Sequence, residues 1–144
     1  MGILVDAEKF FDTLDLAVLV PKALALGYPP VFLYLGALMH RAARVLKADG
    51  TYSEALVVQK SILAGCTHSV DWTRAHFYDL LDDLHKNYRP VAVKSFVDDL
   101  ALRMQGPKGT VAHRAVQAGK ALLDGIVQRG GRISTKTVVL ASTK

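Results

Sequence analysis

The residues best placed to do chemistry are carboxylates that follow apolar, strand-like runs. Asp6 comes directly after Ile3-Leu4-Val5, and the pair Asp98-Asp99 comes after the run that begins at Val91. Neighbouring side chains of a straight strand point to opposite faces, so two adjacent aspartates at a hairpin tip give one ligand and one supporting carboxylate. If the Asp6 strand lies beside the Asp98 hairpin, carboxylates from distant parts of the chain converge at a sheet edge. Hard oxygen donors of this kind suit Mg²⁺, which takes one or two carboxylates and completes its shell with water and substrate phosphates. Two such ions roughly 3.5–4 Å apart activate an attacking hydroxyl and stabilise the leaving oxygen in phosphoryl transfer. Other chemistries find less support. Asp82-Asp83 falls in a helical pattern and reads as a solvated face. Among the histidines only His68 and His76 share a helix at a suggestive interval, and eight residues is too far for chelation from adjacent turns. Ser61, Cys66 and the acids make no nucleophilic triad.

The elements that must carry these carboxylates follow from pattern and punctuation. Ile3–Val5 reads as a buried strand. Asp12 or Thr13 can cap a following helix, Pro21 kinks that helix or starts a second one, and Gly27 ends it. A helix over about 31–44 comes next, then Asp49-Gly50 as a hairpin turn between strands near 43–47 and 54–58. Residues 59–66 form a loop. Val70, Thr73, Phe77, Leu80, Leu81 and Leu84 recur at helical spacing and predict a helix over 67–87, with Trp72 as a packing anchor. A strand over 91–96, a turn over 97–99 and a returning strand over 100–104 lead to a helix over 110–129. Gly130-Gly131 closes that helix, and a last strand covers 137–142. With no regular βαβ alternation, the order predicts an α+β fold: an antiparallel sheet with helices packed on one face.

Three segments together resemble reverse transcriptases, especially those of non-LTR retrotransposons and group II introns. Leu4-Val5-Asp6 with Phe11-Asp12 resembles the family's first catalytic motif. Ser95-Phe96-Val97-Asp98-Asp99 resembles its third, and the stretch from Gly131 through Lys136-Thr137 to Leu140 its fourth, a glycine, a short strand and Lys-Thr before an apolar strand. Their order and intervals agree, so the resemblance runs from Ile3 to Ser142. The second motif departs from the family pattern: Gln59 matches, Lys60 stands in place of a glycine, and Ala64-Gly65 occupy the place of Ser-Pro.

The resemblance implies the palm of an RNA-directed DNA polymerase that joins a deoxynucleoside triphosphate to a primer 3′-hydroxyl on an RNA or DNA template. It implies two Mg²⁺ ions on Asp6 and Asp98, the Ala7 carbonyl as a further oxygen, and Asp99 as supporting carboxylate. Lys136 would act on the leaving pyrophosphate. Phe11 would sit under the sugar and exclude a 2′-hydroxyl, and Gln59 and Gly65 would belong to the loop that positions template and nucleotide. It further implies that residues 1–144 are a partial domain without fingers or thumb, inactive in primer extension alone. A non-catalytic nucleic-acid-binding α+β module is the other reading, carried by the basic C-terminal third.

Composition sets the outer bounds. The 144 residues are 51% hydrophobic and 22% charged, enough for one domain with a real core and against disorder. Between Pro107 and the end, seven cations face one acid, Asp124; that stretch holds +6 of a net +5, leaving the remainder at −1. One cysteine makes no internal disulfide, which with no signal-like leader favours an intracellular, reducing compartment. The longest uninterrupted apolar run, Val31 to Met39, is nine residues, well short of the roughly 20 that span a bilayer.

Overall fold

A five-stranded antiparallel sheet is organised around β1 (Gly2–Glu8) in the structure, a computed structural model that describes residues 1–96 and 99–141. Alternation explains its two faces. Ile3, Val5 and Ala7 are buried, Leu4 and Glu8 are exposed, and Asp6 is half-buried. On one side β1 pairs with β5 (Asp99–Arg103), which itself pairs with β4 (Ala92–Phe96). On its other side it pairs with β6 (Arg132–Ile133) through Ala7 and Glu8, and with β7 (Val138–Leu140) through Gly2 to Leu4. Pairing with β6 carries β1 three residues beyond its expected end at Val5, so Asp6 lies inside the strand. Asp99 likewise opens β5 and does not belong to the turn.

Helices cover one face of the sheet. The buried residues of β1 and β5 meet α3 (Ser69–Asn87) and α4 (Lys108–Gln128), whose Leu80, Leu84, Ala115, Ala118, Leu122 and Ile126 complete the core. Small residues on α4 let it approach closely: a Cβ added at Gly119 would lie 2.6 Å from Ile3 Cδ1. At the end of α4, Gly130 adopts φ 81° while Gly130 N–H donates to Val127 O and Gly131 N–H to Ile126 O. This left-handed cap turns the chain into β6 and back towards Asp6. The α+β architecture is as expected, antiparallel with its helices on one side.

Local departures have physical causes. A 3₁₀ turn over Phe10–Thr13 follows β1, and Asp15 caps α1 (Leu16–Ala25), its Oδ1 accepting from Ala17 N–H at 2.9 Å. Neither expected cap is available, since Thr13 Oγ1 donates to Phe10 O and Asp12 accepts from Ser61. Replacing Asp15 with alanine should cost about 1 kcal/mol, read as a shift of the urea midpoint. Pro21 sits inside α1 without ending it, leaving only the Ala17 carbonyl without its helical donor. After α2 (Pro30–Arg41), the Asp49-Gly50 turn has φ 49° and 80°, both left-handed, and joins β2 (Lys47–Ala48) to β3 (Thr51–Tyr52). The strands are shorter and closer to the turn than expected, because the two-residue connection fixes their register and nothing packs on this exposed hairpin. Beyond them the arms are joined by the Ser53 N–H to Leu46 O hydrogen bond and the Arg44–Leu56 bridge. Among the described residues no helix is long and apolar enough to cross a membrane.

Candidate active site

Register decides which carboxylates meet. Asp6 of β1 is the direct cross-strand partner of Asp99 of β5. Paired residues of neighbouring strands share a face, and the flanking pairs Ile3–Leu102 and Val5–Leu100 point into the core. Asp6 and Asp99 therefore both project onto the open face, with Cβ atoms roughly 5 Å apart. Among the described residues neither carboxylate takes part in an ion pair or a side-chain hydrogen bond. Like charges directly opposite one another destabilise a sheet, so the pair is an arrangement that a cation would relieve. Asp98, expected to share the metal with Asp6, lies outside the described residues. Among those described, no cluster of three or more His, Cys, Asp or Glu side chains forms a metal cage. Two opposed carboxylates do fit Mg²⁺, whose remaining ligands are commonly water and substrate phosphate.

The turn that carries Lys136 is tied to the backbone of Asp6 by hydrogen bonds. Ser134 N–H donates to Asp6 O at 2.9 Å, and Asp6 N–H donates to Thr137 Oγ1 at 3.4 Å. Between these two anchors Ser134–Thr137 forms a turn, closed by Thr137 N–H to Ser134 O at 3.1 Å. Lys136 is its third residue, exposed, with its own N–H on Ser134 Oγ. Ser134 and Thr137 are thus positioning residues, readable in principle from the turn chemistry of a Ser-Thr-Lys-Thr run. Along the open face Lys94, opposite Ala101, and Arg103, opposite Gly2, add cations beyond the carboxylates.

The remaining candidates are arranged around the turn that follows β1. Phe11 is half-buried, its ring edge-on to Phe10 at 5.6 Å, and Phe10 stacks on Phe77 at 5.3 Å. The segment after the hairpin docks here: Ile62 N–H donates to Phe11 O, Ser61 N–H to Leu14 O, and Ser61 Oγ to Asp12 Oδ1 at 3.0 Å. That tether places exposed Gln59 near the turn, although no described hydrogen bond links Gln59 to Asp6 or Asp99. Gly65, at φ 84°, occupies the third position of a turn from Leu63 to Cys66. It is held at α2, where His40 Nδ1 accepts from Leu63 N–H at 2.9 Å. Burial first, and then the charges of Arg44 and His68, push the His40 pKa down, which keeps the ring neutral and able to accept. Gly65 therefore has a turn-forming role, and nothing described joins it to the carboxylates. Ala7 turns its methyl into the core, so its carbonyl is the only group it could offer a metal.

The described geometry defines an α+β domain whose open sheet face carries two opposed carboxylates, with a lysine-bearing turn hydrogen-bonded to the backbone of one of them. No protein-family model and no curated protein sequence matches the chain.

Proposed function

We propose that this chain is the palm of an RNA-directed DNA polymerase, acting inside the cell on a primed RNA or DNA template with deoxynucleoside triphosphates. The observation that carries the reading is the Asp6–Asp99 register on the open face of an antiparallel sheet. Support also comes from the Lys136 turn being hydrogen-bonded to both backbone sides of Asp6. When bound, a pair of Mg²⁺ ions supplies Lewis-acid activation of the attacking hydroxyl and stabilisation of the leaving oxygen. Asp6 and Asp99, with Asp98 by resemblance, would hold those ions, and the Ala7 carbonyl could add an oxygen. Lys136 neutralises the leaving pyrophosphate or gives it a proton. By resemblance Phe11 would lie under the sugar, where a 2′-hydroxyl would collide with its ring, a steric penalty on the wrong sugar. Gln59 and Gly65 belong to the loop expected to position template and nucleotide. Lys94 and Arg103 attract the phosphates of a strand laid along the open face.

Titration with Mn²⁺ followed by NMR tests the site. Amides around Asp6, Asp99 and Lys136 should broaden first, and Asp6→Asn should abolish the effect. Without metal, Asp6→Asn should leave the fold as stable as before or stabilise it by up to about 1 kcal/mol, because it removes one of two opposed like charges. Uniform or absent broadening defeats the metal-site reading. The cations Lys94 and Arg103 favour one alternative, a non-catalytic nucleic-acid-binding module. It is the better description if salt-sensitive binding of a primer–template survives Asp6→Asn and Asp98→Ala while Mn²⁺ binds nowhere near these residues.

A further inference from the structure

Helix α2 is apolar around nearly its whole circumference, yet only part of it is covered. Leu33, Gly36 and His40 turn inward, Gly36 and His40 against Trp72. Val31, Phe32, Tyr34, Leu35, Leu38 and Met39 are 46–67% exposed. At 3.6 residues per turn these six span an arc of about 160° that contains no charged residue. Within the arc, Val31, Leu35 and Leu38, continued by Ala42, follow the 4-3-4 spacing of a helix–helix seam. Beside it runs an apolar groove of about 300 Å³ between α1 and α2, with Leu16, Val20 and Pro21 on one wall and Tyr34, Leu38 and Arg41 on the other.

We propose that this face pairs with a second copy of the chain, α2 against α2 in antiparallel orientation about a two-fold axis. Charge argues against strongly charged occupants. No Asp or Glu occurs from Leu16 to Ala48, so the surface offers nothing to a basic partner. Its cations are largely engaged within the chain: Lys22 pairs with Asp79, Arg44 donates to His40 O at 3.5 Å, and Lys47 lies 5.3 Å from the centre of the Tyr52 ring. That leaves no cationic cluster to select an acidic protein or an anionic bilayer. An uncharged stripe is compatible with itself, and the antiparallel orientation sets the two Arg41 side chains at opposite ends, whereas a parallel pair would bring them together. Leu35 of one copy then meets Leu38 of the other, and Val31 meets Ala42. Extent argues the same way. Six side chains of this size at such exposure present on the order of 600 Å², close to the roughly 800 Å² that each partner contributes to a standard interface. The groove receives side chains from the facing copy.

Sedimentation of the full chain tests this. At high micromolar concentration the particle should have twice the 15.6 kDa monomer mass and dissociate on dilution. Leu35→Glu combined with Leu38→Glu should remain monomeric at the same concentrations with an unchanged helical circular-dichroism signal. Should that pair of acids disturb folding, Leu35→Gln alone should weaken dimerisation at least tenfold. A wild-type monomer at every concentration overturns the proposal, including one that instead co-sediments with phosphatidylserine-containing vesicles. So does a dimer that a folded Leu35→Glu/Leu38→Glu variant leaves intact. None of these readouts depends on metal or nucleic acid.

Discussion

Replacing Trp72 with alanine should remove about 3–5 kcal/mol of folding stability, a large share of the roughly 5–15 kcal/mol available to a domain. The indole is completely buried at the start of α3. Its walls come from three separate segments. Helix α2 provides Gly36, where an added Cβ would lie 2.6 Å from indole carbons Cη2 and Cζ2, and His40, with ring centres 5.2 Å apart. The connection between α1 and α2 provides Tyr28 at 6.4 Å, edge-on, while His68 stacks at 6.4 Å just before α3. Tyr28 is itself pinned by a 2.6 Å hydrogen bond between its hydroxyl and His68 Nδ1. A site walled by α2 and a bonded Tyr–His pair cannot collapse onto an alanine, so transfer and cavity terms both apply. Urea unfolding followed by circular dichroism should show the midpoint falling by roughly 2 M with the slope unchanged. A loss below about 1 kcal/mol would mean that α2 closes the gap, contrary to this packing.

The sheet was legible because its inward residues obey a period of two: Ile3, Val5, Leu100 and Leu102 declare a buried face before any partner is known. The helices α3 and α4 were legible for the corresponding reason at a period of 3.6. Register between β1 and β5 was not. Their paired residues are separated by 93 positions for Asp6 and Asp99, and nothing local to either segment says which aspartate of the pair stands opposite Asp6. The turn chemistry around Asp6 was half-legible. Lys136 was singled out by its neighbours, but the roles of Ser134 and Thr137 as anchors of the Asp6 backbone depend on β6 and β7 bracketing one point of β1. Pro21 lies inside α1 and starts no second helix, and the hairpin strands stop short because nothing packs on them to extend the pairing. Asp49-Gly50 nevertheless formed the turn its residue types demand even without a packed face.

His76 should make the fold acid-labile between about pH 6.5 and pH 4. The ring is buried on α3, edge-on to Phe77 at 4.9 Å, and neither ring nitrogen has a partner among the described residues. The ring is therefore buried without hydrogen-bond compensation from the described residues. Burial first, then the charges of Lys22 on α1 and Arg129 after α4, push its pKa from 6.5 down to about 4, against smaller opposing effects of Asp79 and Asp15. The same cations converge on Asp79 one turn along: Lys22 Nζ at 2.9 Å and Arg129 Nη2 at 3.0 Å, with Lys22 also donating to His76 O. A proton on His76 would thus enter a low-dielectric site already facing two positive groups. Because the folded pKa lies below the unfolded one, the neutral ring's contribution is complete above pH 6.5. It declines as pH falls, since the unfolded chain takes up the proton first, and levels off below about pH 4. The loss amounts to about 3 kcal/mol. Asp79 adds to acid lability only lower down. Burial tends to raise its pKa, but the hydrogen bonds and charges of Lys22 and Arg129 prevail and hold it below the ordinary 3.8. His76→Leu should therefore flatten the stability profile between pH 7 and pH 4.5 and leave the steeper fall at lower pH. At neutral pH it should cost little, because it removes two buried polar atoms that have no described partner. Urea midpoints of both proteins across this range decide the matter; parallel profiles would assign the acid lability to groups other than His76.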